Sequence, residues 1–250
     1  PHIITSDKLY TNYSGFETGI NGAYSEIRYE IRDASQPFQI FVTATDNMCP
    51  NYISGFGTLA SKWGTVNTSS NSYLRNAFNW LYGIINATNT IIGRAENENI
   101  DWSGGNGTET ENKNYIIAEA RAIRAWAYRH LTYLWGDVPL SLVESSGASI
   151  KTDWERTPVK QVRQQIIEDL LFAEQYIPVE PIPGRMSKGA VQHLLAEMFL
   201  VLKDPGKALQ WTDKVINTPA YRLVTERYGI KADQPGVPFM DMFYQGNKNR

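Results

Sequence analysis

The stretch "WAYRHLTYLWGDVPL", residues 126–140, decides the fold of this chain. It begins as a helix-forming run with apolar side chains on nearly every face. It then reaches Gly136, Asp137 and Pro139 in quick succession. Glycine suits the left-handed position that follows a helix, and a proline shortly afterwards prevents the helix from resuming. A helix with so little polar surface must be covered on several sides, so the stretch predicts a central helix in a helical stack.

The helix that contains this stretch is predicted over about residues 111–135. An apolar stripe and an alanine-rich face run along it. The stripe comprises Ile116, Ala120, Ile123, Ala127, Leu131 and Leu134, and the alanine face comprises Ala118, Ala122 and Ala125. Alanines let neighbouring backbones approach closely, so we expect this helix to pack on two sides.

Helical periodicity extends over most of the remaining sequence. Further helices are predicted over about residues 16–32, 72–96, 158–176, 187–202 and 205–217, with Ser187 as an N-cap. Between them the composition predicts polar, glycine-rich loops over 47–72 and 97–111 and an irregular excursion over 137–157. The short apolar segment 37–46 is compatible with a strand or with a helix end.

The last two predicted helices follow the spacing of a tetratricopeptide repeat. Small and large residues recur where two such helices cross, and a proline closes the unit. The matching positions are Ala196, Phe199, Ala208 and Val215 in one unit, with the closing Pro219 one residue early, and Ile166, Leu170, Ala173 and Pro178 in the second half of the unit before it. The sequence therefore predicts units over about 111–178 and 187–219, with generic helix packing as the alternative.

Composition excludes several classes of function. The net charge of −2 gives no electrostatic footprint for nucleic acid or an anionic membrane surface. A single cysteine, Cys49, excludes an internal disulfide, and the three histidines, His2, His130 and His193, have no metal-ligand spacing. No phosphate loop, nucleophile elbow or dinucleotide fingerprint occurs. We therefore expect no cofactor and no metal.

A sugar-binding surface needs flat aromatic faces for the C–H sides of pyranose rings and short polar side chains for the hydroxyls. The stretch "DNMCPNYISGFGTLASKWGTVN", residues 46–67, offers both. Its candidate ligand contacts are Asp46, Asn47, Asn51, Tyr52, Trp63 and Asn67, and Trp102 in the second loop is a further candidate. A turn or cap role competes for Asp46, and a core anchor competes for Trp63.

The other conspicuous side chains are predicted to belong to the scaffold. Four tryptophans lie at helical spacings and are assigned to the core: Trp80, Trp126, Trp135 and Trp211. The arginines of the central helix, Arg121, Arg124 and Arg129, are predicted to be ion-paired or to extend along apolar surface rather than to bind an anion.

Several stretches, in order, resemble the SusD/RagB family of outer-membrane lipoproteins from the Bacteroidetes. They are "GFETGINGAYSEIR", "WLYGIINATNTII", "AEARAIRAWAYRHLTYLWGDVPL", "RMSKGAVQHLLAEMFL" and "ALQWTDKVINTPAYRL". The Gly-Asp-Val-Pro-Leu ending of the third stretch is the most specific part, and the resemblance covers most of the chain.

The resemblance implies an all-α fold. Tetratricopeptide-like hairpins would form a right-handed superhelical scaffold with long irregular loops, as a single domain over residues 1–250. It also implies a cell-surface, lipid-anchored, non-catalytic protein of the outer membrane. Such a protein captures oligosaccharides or other nutrients on its loops and delivers them to a SusC-like, TonB-dependent transporter.

Two departures from the family pattern bear on these expectations. Cys49 is far from the N-terminal position of the family's lipid-bearing cysteine. Family members also continue well beyond "FMDMFYQGNKNR", so we expect a chain truncated before the C-terminal part. A tetratricopeptide scaffold for proteins or peptides is the first alternative function, and a helical glycoside hydrolase is the second.

Overall fold

The computed structural model describes residues 6–31, 40–41, 45, 62, 64, 67–147, 150–180, 182–244 and 246. Within these residues the fold is all-α, as predicted. The helices are α1 (Ser6–Leu9), α2 (Tyr13–Ile27), α3 (Ser72–Arg94), α4 (Glu109–Leu134), α5 (Val159–Tyr176), α6 (Lys188–Val201), α7 (Pro205–Ile216) and α8 (Pro238–Asp241). Short 3-10 turns follow α2 and precede α8, at Arg28–Ile31 and Gly229–Lys231. Isolated β-bridges join Asn12 with Asp101 and Val138 with Thr157.

The long helices stack in chain order. Helix α3 packs against α4, α4 against α5, α5 against α6, and α6 against α7, while α2 packs against both α3 and α4. Helices α2 to α6 each bury apolar side chains against their neighbours, which is the arrangement that the helical periodicity predicts, whereas only Ala208 of α7 is buried. The two predicted repeat units each contain a pair of packed helices, α4 with α5 and α6 with α7. The assignment of these pairs to tetratricopeptide units stays a prediction.

Helix α4 is the central helix that the opening stretch predicts. Its first turn is fixed by a capping box, in which Thr108 accepts from the backbone N–H of Glu111 and the Glu111 carboxylate accepts from that of Thr108. Its alanine face is fully buried, with Ala122 at 0% exposure. The helix ends at Leu134, and Gly136 adopts a φ of +68°. A left-handed residue of this kind stops the helix, as predicted.

Local side chains set the ends of the other helices. Helix α2 begins at Tyr13, earlier than predicted, because the Asn12 side chain accepts from the N–H of Gly15 at 3.0 Å. Ser187 caps α6 as predicted by accepting from the N–H of Ala190. None of the described helices combines the length and the apolarity that crossing a bilayer requires.

Candidate ligand-binding site

Side chains from α3 and α4 hold the start of the irregular excursion that follows α4. The Asn89 amide nitrogen donates to the carbonyl oxygens of Ser141 and Val143, at 3.0 and 3.1 Å. The Tyr128 hydroxyl donates to the Ser141 carbonyl at 2.9 Å and accepts from the Ser141 N–H at 2.7 Å. Because Asn89, Tyr128 and Ser141 are all buried, these bonds fix the excursion against the stack.

A buried ion pair orients this attachment. The Arg124 guanidinium donates to both carboxylate oxygens of Asp169 on α5, at 2.8 and 2.7 Å, and to the Asn89 amide oxygen at 2.8 Å. The side chains of Arg124 and Asp169 are 4% and 0% exposed. The planar guanidinium therefore joins three helices and fixes which end of the Asn89 amide faces the excursion.

The neighbouring arginines of α4 are scaffold residues too, as predicted. The Arg129 guanidinium pairs with Glu197 of α6 at 2.6 Å. The Arg121 guanidinium lies 4.3 Å from the ring centroid of Phe172 on α5. Both contacts connect helices of the stack rather than point to a bound anion.

A cavity of about 570 Å³, here called the α3 cavity, lies between α3 and the excursion. Its described lining residues are Phe78, Asn79, Tyr82, Gly83, Ile85, Asn86, Pro139, Ser141, Ser145 and Trp154. Asp, Glu, Lys, Arg and His are all missing from this described lining. The volume falls in the range of small-ligand pockets.

The α3 cavity combines aromatic rings with primary amides. The rings of Phe78 and Tyr82 lie 4.7 Å apart, and the Tyr82 hydroxyl donates to the Pro139 carbonyl at 2.6 Å. Burial raises the pKa of Tyr82, so its hydroxyl stays protonated. The hydrogen bond to the Pro139 carbonyl therefore persists and holds the ring in place. Trp154 borders the cavity from the excursion and is 38% exposed. Flat apolar faces of this kind suit the C–H sides of sugar rings.

The two amides of the α3 cavity differ in availability. Asn86 is used for structure, since its oxygen accepts from the Ser145 N–H at 2.8 Å and its nitrogen donates to the Ser145 carbonyl at 3.3 Å. Asn79 is exposed, and none of the hydrogen bonds among the described residues involves its side chain. Its amide therefore offers one acceptor and two donor hydrogens to a ligand.

A second cavity, here called the Asn67 cavity, lies beside the start of α3. It measures about 370 Å³, and its described lining is Asn67, Thr68, Ser69, Leu74, Arg75, Phe78 and Trp135. Phe78 borders both cavities. The exposed side chains of Asn67 and Arg75 give the second cavity a polar and positively charged edge.

The structure locates only part of the predicted ligand site. Asp46, Asn47, Asn51, Tyr52 and Trp63 lie outside the described residues, and their roles stay predictions. Asn67 is described, and it is an exposed residue at the edge of the Asn67 cavity.

The candidate Trp102 is corrected by the structure. Its side chain is 6% exposed, and its ring lies 4.6 Å from that of Phe16 on α2 in a buried cluster. The bridge between Asn12 and Asp101 brings this loop against α2 and carries Trp102 inward. Its ring therefore stabilises the core and presents no face to a ligand.

Sequence reasoning missed the residues that line the α3 cavity. Phe78, Tyr82 and Asn86 recur at intervals of four on one face of α3, and this spacing was available as a signal. It does not show that the face stays open, because that depends on where the excursion and Trp154 lie. Among the described residues, no group of acidic, histidine or cysteine side chains is arranged to hold a metal ion.

Comparison with known proteins decides the family. The model of a SusD-like family, described as "Starch-binding associating with outer membrane", matches residues 16–200. The chain belongs to this SusD-like family. The match runs from within α2 almost to the end of α6, so it includes α3 and the excursion, which together enclose the α3 cavity.

Individual relatives agree with the SusD-like assignment. The SusD-like protein P2 of Formosa agariphila is 33% identical over 141 residues, which is 56% of this chain and 26% of that protein. A SusD homolog from Bacteroides thetaiotaomicron has a TM-score of 0.74 at 19% identity, over 89% of this chain and 44% of the other. A SusD-like carbohydrate binding protein from Bacteroides vulgatus has a TM-score of 0.69 at 18% identity, over 86% and 47%. The chain thus spans about a quarter of the curated relative and under half of these two structures.

Proposed function

We propose that this SusD-like chain is part of a non-catalytic, cell-surface protein that binds glycans and passes them to a TonB-dependent outer-membrane transporter. The observation that carries the proposal is the family match over residues 16–200. The family's description names starch binding and association with the outer membrane, and one structural relative is a carbohydrate binding protein. Lipid anchoring at the cell surface and a SusC-like partner belong to the same proposal.

The chemistry of the described surface supports glycan binding. The α3 cavity and the Asn67 cavity join aromatic rings to amides and hydroxyls, as saccharide recognition requires. The predicted contacts Asp46, Asn47, Asn51, Tyr52 and Trp63 precede Asn67 in the same stretch of sequence, residues 46–67. We propose that these residues and Asn67 bind the glycan together.

Calorimetry against a panel of neutral and acidic oligosaccharides, starch fragments included, tests the proposal. We expect binding of at least one glycan, no release of shorter sugars on long incubation, and weaker binding by Trp63→Ala. Trp211→Ala is the control, because Trp211 lies on α7 and lines neither cavity. Absence of binding across the panel would overturn the glycan proposal, and sugar release would overturn the non-catalytic one. Co-purification with a β-barrel transporter tests the delivery step.

A further inference from the structure

Among the described residues, one face of α3, here called the open face, carries exposed or half-buried side chains along the first half of the helix. Arg75, Phe78, Asn79, Tyr82, Gly83 and Asn86 recur at intervals of three and four, so they lie on one side. All of them line the α3 cavity or the Asn67 cavity, and Phe78 lines both. At about 1.5 Å of rise per residue, this face extends for roughly 16 Å along the helix. That length suits an extended chain of several sugar units.

We propose that the open face of α3 is the floor of one groove for a linear glycan. In this proposal the α3 cavity is the subsite for an uncharged pyranose unit, with Trp154 and Tyr82 contacting the ring. The inference rests on the proposed function and adds a location and a substrate class to it. The two cavities share Phe78 in their linings, so in this proposal one linear ligand contacts both cavities across that ring.

The lining of the α3 cavity accounts for the preference for an uncharged unit. Its described residues are aromatic, aliphatic, amide or hydroxyl in character. A carboxylate or sulfate placed there would lose water, which is costly, and would find no cationic side chain in the described lining. The Lys151 ammonium, 4.9 Å from the ring centroid of Trp154, lies beside the cavity and is not one of its lining residues. Sugar hydroxyls need only neutral donors and acceptors, which the free Asn79 amide supplies.

Gly83 gives this subsite its width. It lies in the interior of α3, where every residue except proline favours the helix more than glycine does. A Cβ atom built at Gly83 meets no heavy atom within 4 Å, so the missing side chain leaves open space in the cavity. A larger residue here therefore begins in open space, and its outer atoms would take up part of the cavity.

Gly93 provides a matched control on the same helix. A Cβ atom at this position also meets nothing within 4 Å, and Gly93 lines neither cavity. Leucine favours helices strongly, so Gly83→Leu and Gly93→Leu should both fold at least as well as the parent. Circular dichroism and thermal unfolding verify this before binding is measured.

The test compares maltotriose, maltoheptaose and an acidic oligogalacturonate by calorimetry. For Gly83→Leu we expect maltoheptaose to bind at least tenfold more weakly, with a smaller change for maltotriose, while Gly93→Leu stays within about twofold. Trp154→Ala should weaken maltoheptaose binding about tenfold, and Trp154→Phe, which keeps a ring, should weaken it less.

The outcomes separate this inference from the proposed function. If the parent binds maltoheptaose and Gly83→Leu binds it equally well, the groove is wrong and the glycan proposal stands. If the parent binds the oligogalacturonate better and Gly83→Leu abolishes that binding, the preference for an uncharged unit is wrong. If the parent binds no glycan of a broad panel, the proposed function itself fails.

Discussion

Helices α3 and α4 lie side by side in the stack, and they are covered very differently. The alanine face of α4 is sealed, with Ala118 and Ala122 at 0% exposure. On α3, one side is equally buried at Leu81 and Ile84, whereas Asn79 and Gly83 are exposed to a cavity. Two adjacent helices of one stack thus separate two tasks, since α4 holds the scaffold together and α3 offers a surface.

The polar side chains of α4 and α3 also differ in whether they have hydrogen-bond partners within the protein. On α4, buried Glu119 accepts from the Tyr24 hydroxyl at 3.0 Å and from the Arg185 guanidinium. Burial raises the pKa of the Glu119 carboxyl, and the Arg185 charge opposes that rise. On the open face of α3, Asn79 has no such partner among the described residues. Polar groups on α4 are committed to structure, whereas an uncommitted amide on α3 is available to a ligand.

Removing the central guanidinium of α4 should have the largest effect. Arg124→Leu leaves the Asp169 carboxylate buried at 0% exposure without its ion-pair partner and leaves Asn89 without its orienting bond. We expect a loss of about 3–5 kcal/mol in the free energy of unfolding, measured by urea or thermal denaturation. Because Asn89 holds Ser141 and Val143, this variant should also bind glycans more weakly.

The double variant Arg124→Leu/Asp169→Leu is the control for this prediction. It removes both charges, so no buried carboxylate is left unpaired, and stability should recover by several kcal/mol relative to Arg124→Leu. A single variant as stable as the parent would show that the pair contributes little and that other contacts hold the excursion in place.

Replacing a small residue by leucine should affect stability differently on α3 and α4. Ala122→Leu places a larger side chain on the sealed face of α4, where the packing leaves no space, so we expect a loss of about 1–3 kcal/mol in unfolding free energy. Gly83→Leu adds still more volume on the open face of α3 and should cost no stability, because nothing lies within 4 Å of the new Cβ. Thermal unfolding of both variants measures the contrast, and equal losses would show that α3 is covered as closely as α4.

The sequence predicted the scaffold well, because the features that form α4 are local. Its capping residue, alanine face and terminal Gly136 all lie within or beside the helix, and they fix its length and its need for neighbours. The cavity depends on pairs far apart in sequence, such as Asn86 with Ser145 and Tyr82 with Pro139. No local pattern contains these pairings.

Trp102 also shows that local sequence does not predict tertiary contacts, here for a side chain that turns out to be buried. A tryptophan in a glycine-rich polar loop suggests an exposed ring, and the local sequence supports that interpretation. The contact that buries it comes from Phe16 on α2, far earlier in the chain. Loop composition predicts where the backbone is irregular, whereas the partner that covers a loop side chain depends on the tertiary fold.

The burial of His130 on α4 should also make the stability of the folded protein depend on pH. This side chain is 7% exposed, with its ring 4.2 Å from that of Phe41 and 4.4 Å from that of Trp126. Burial, aided by the Arg129 charge, lowers its pKa from 6.5 to about 3. The folded state therefore excludes a proton that the unfolded state binds.

The contribution of neutral His130 to the free energy of unfolding is complete above about pH 6.5. It is lost as the pH falls towards 3, at up to about 1.4 kcal/mol per pH unit. Between pH 7.5 and 5.5 the parent should lose about 1.4 kcal/mol more unfolding free energy than His130→Phe, since all other titrating groups are shared. Parallel pH profiles for the two proteins would mean that solvent reaches the imidazole and that α4 is not sealed at this turn.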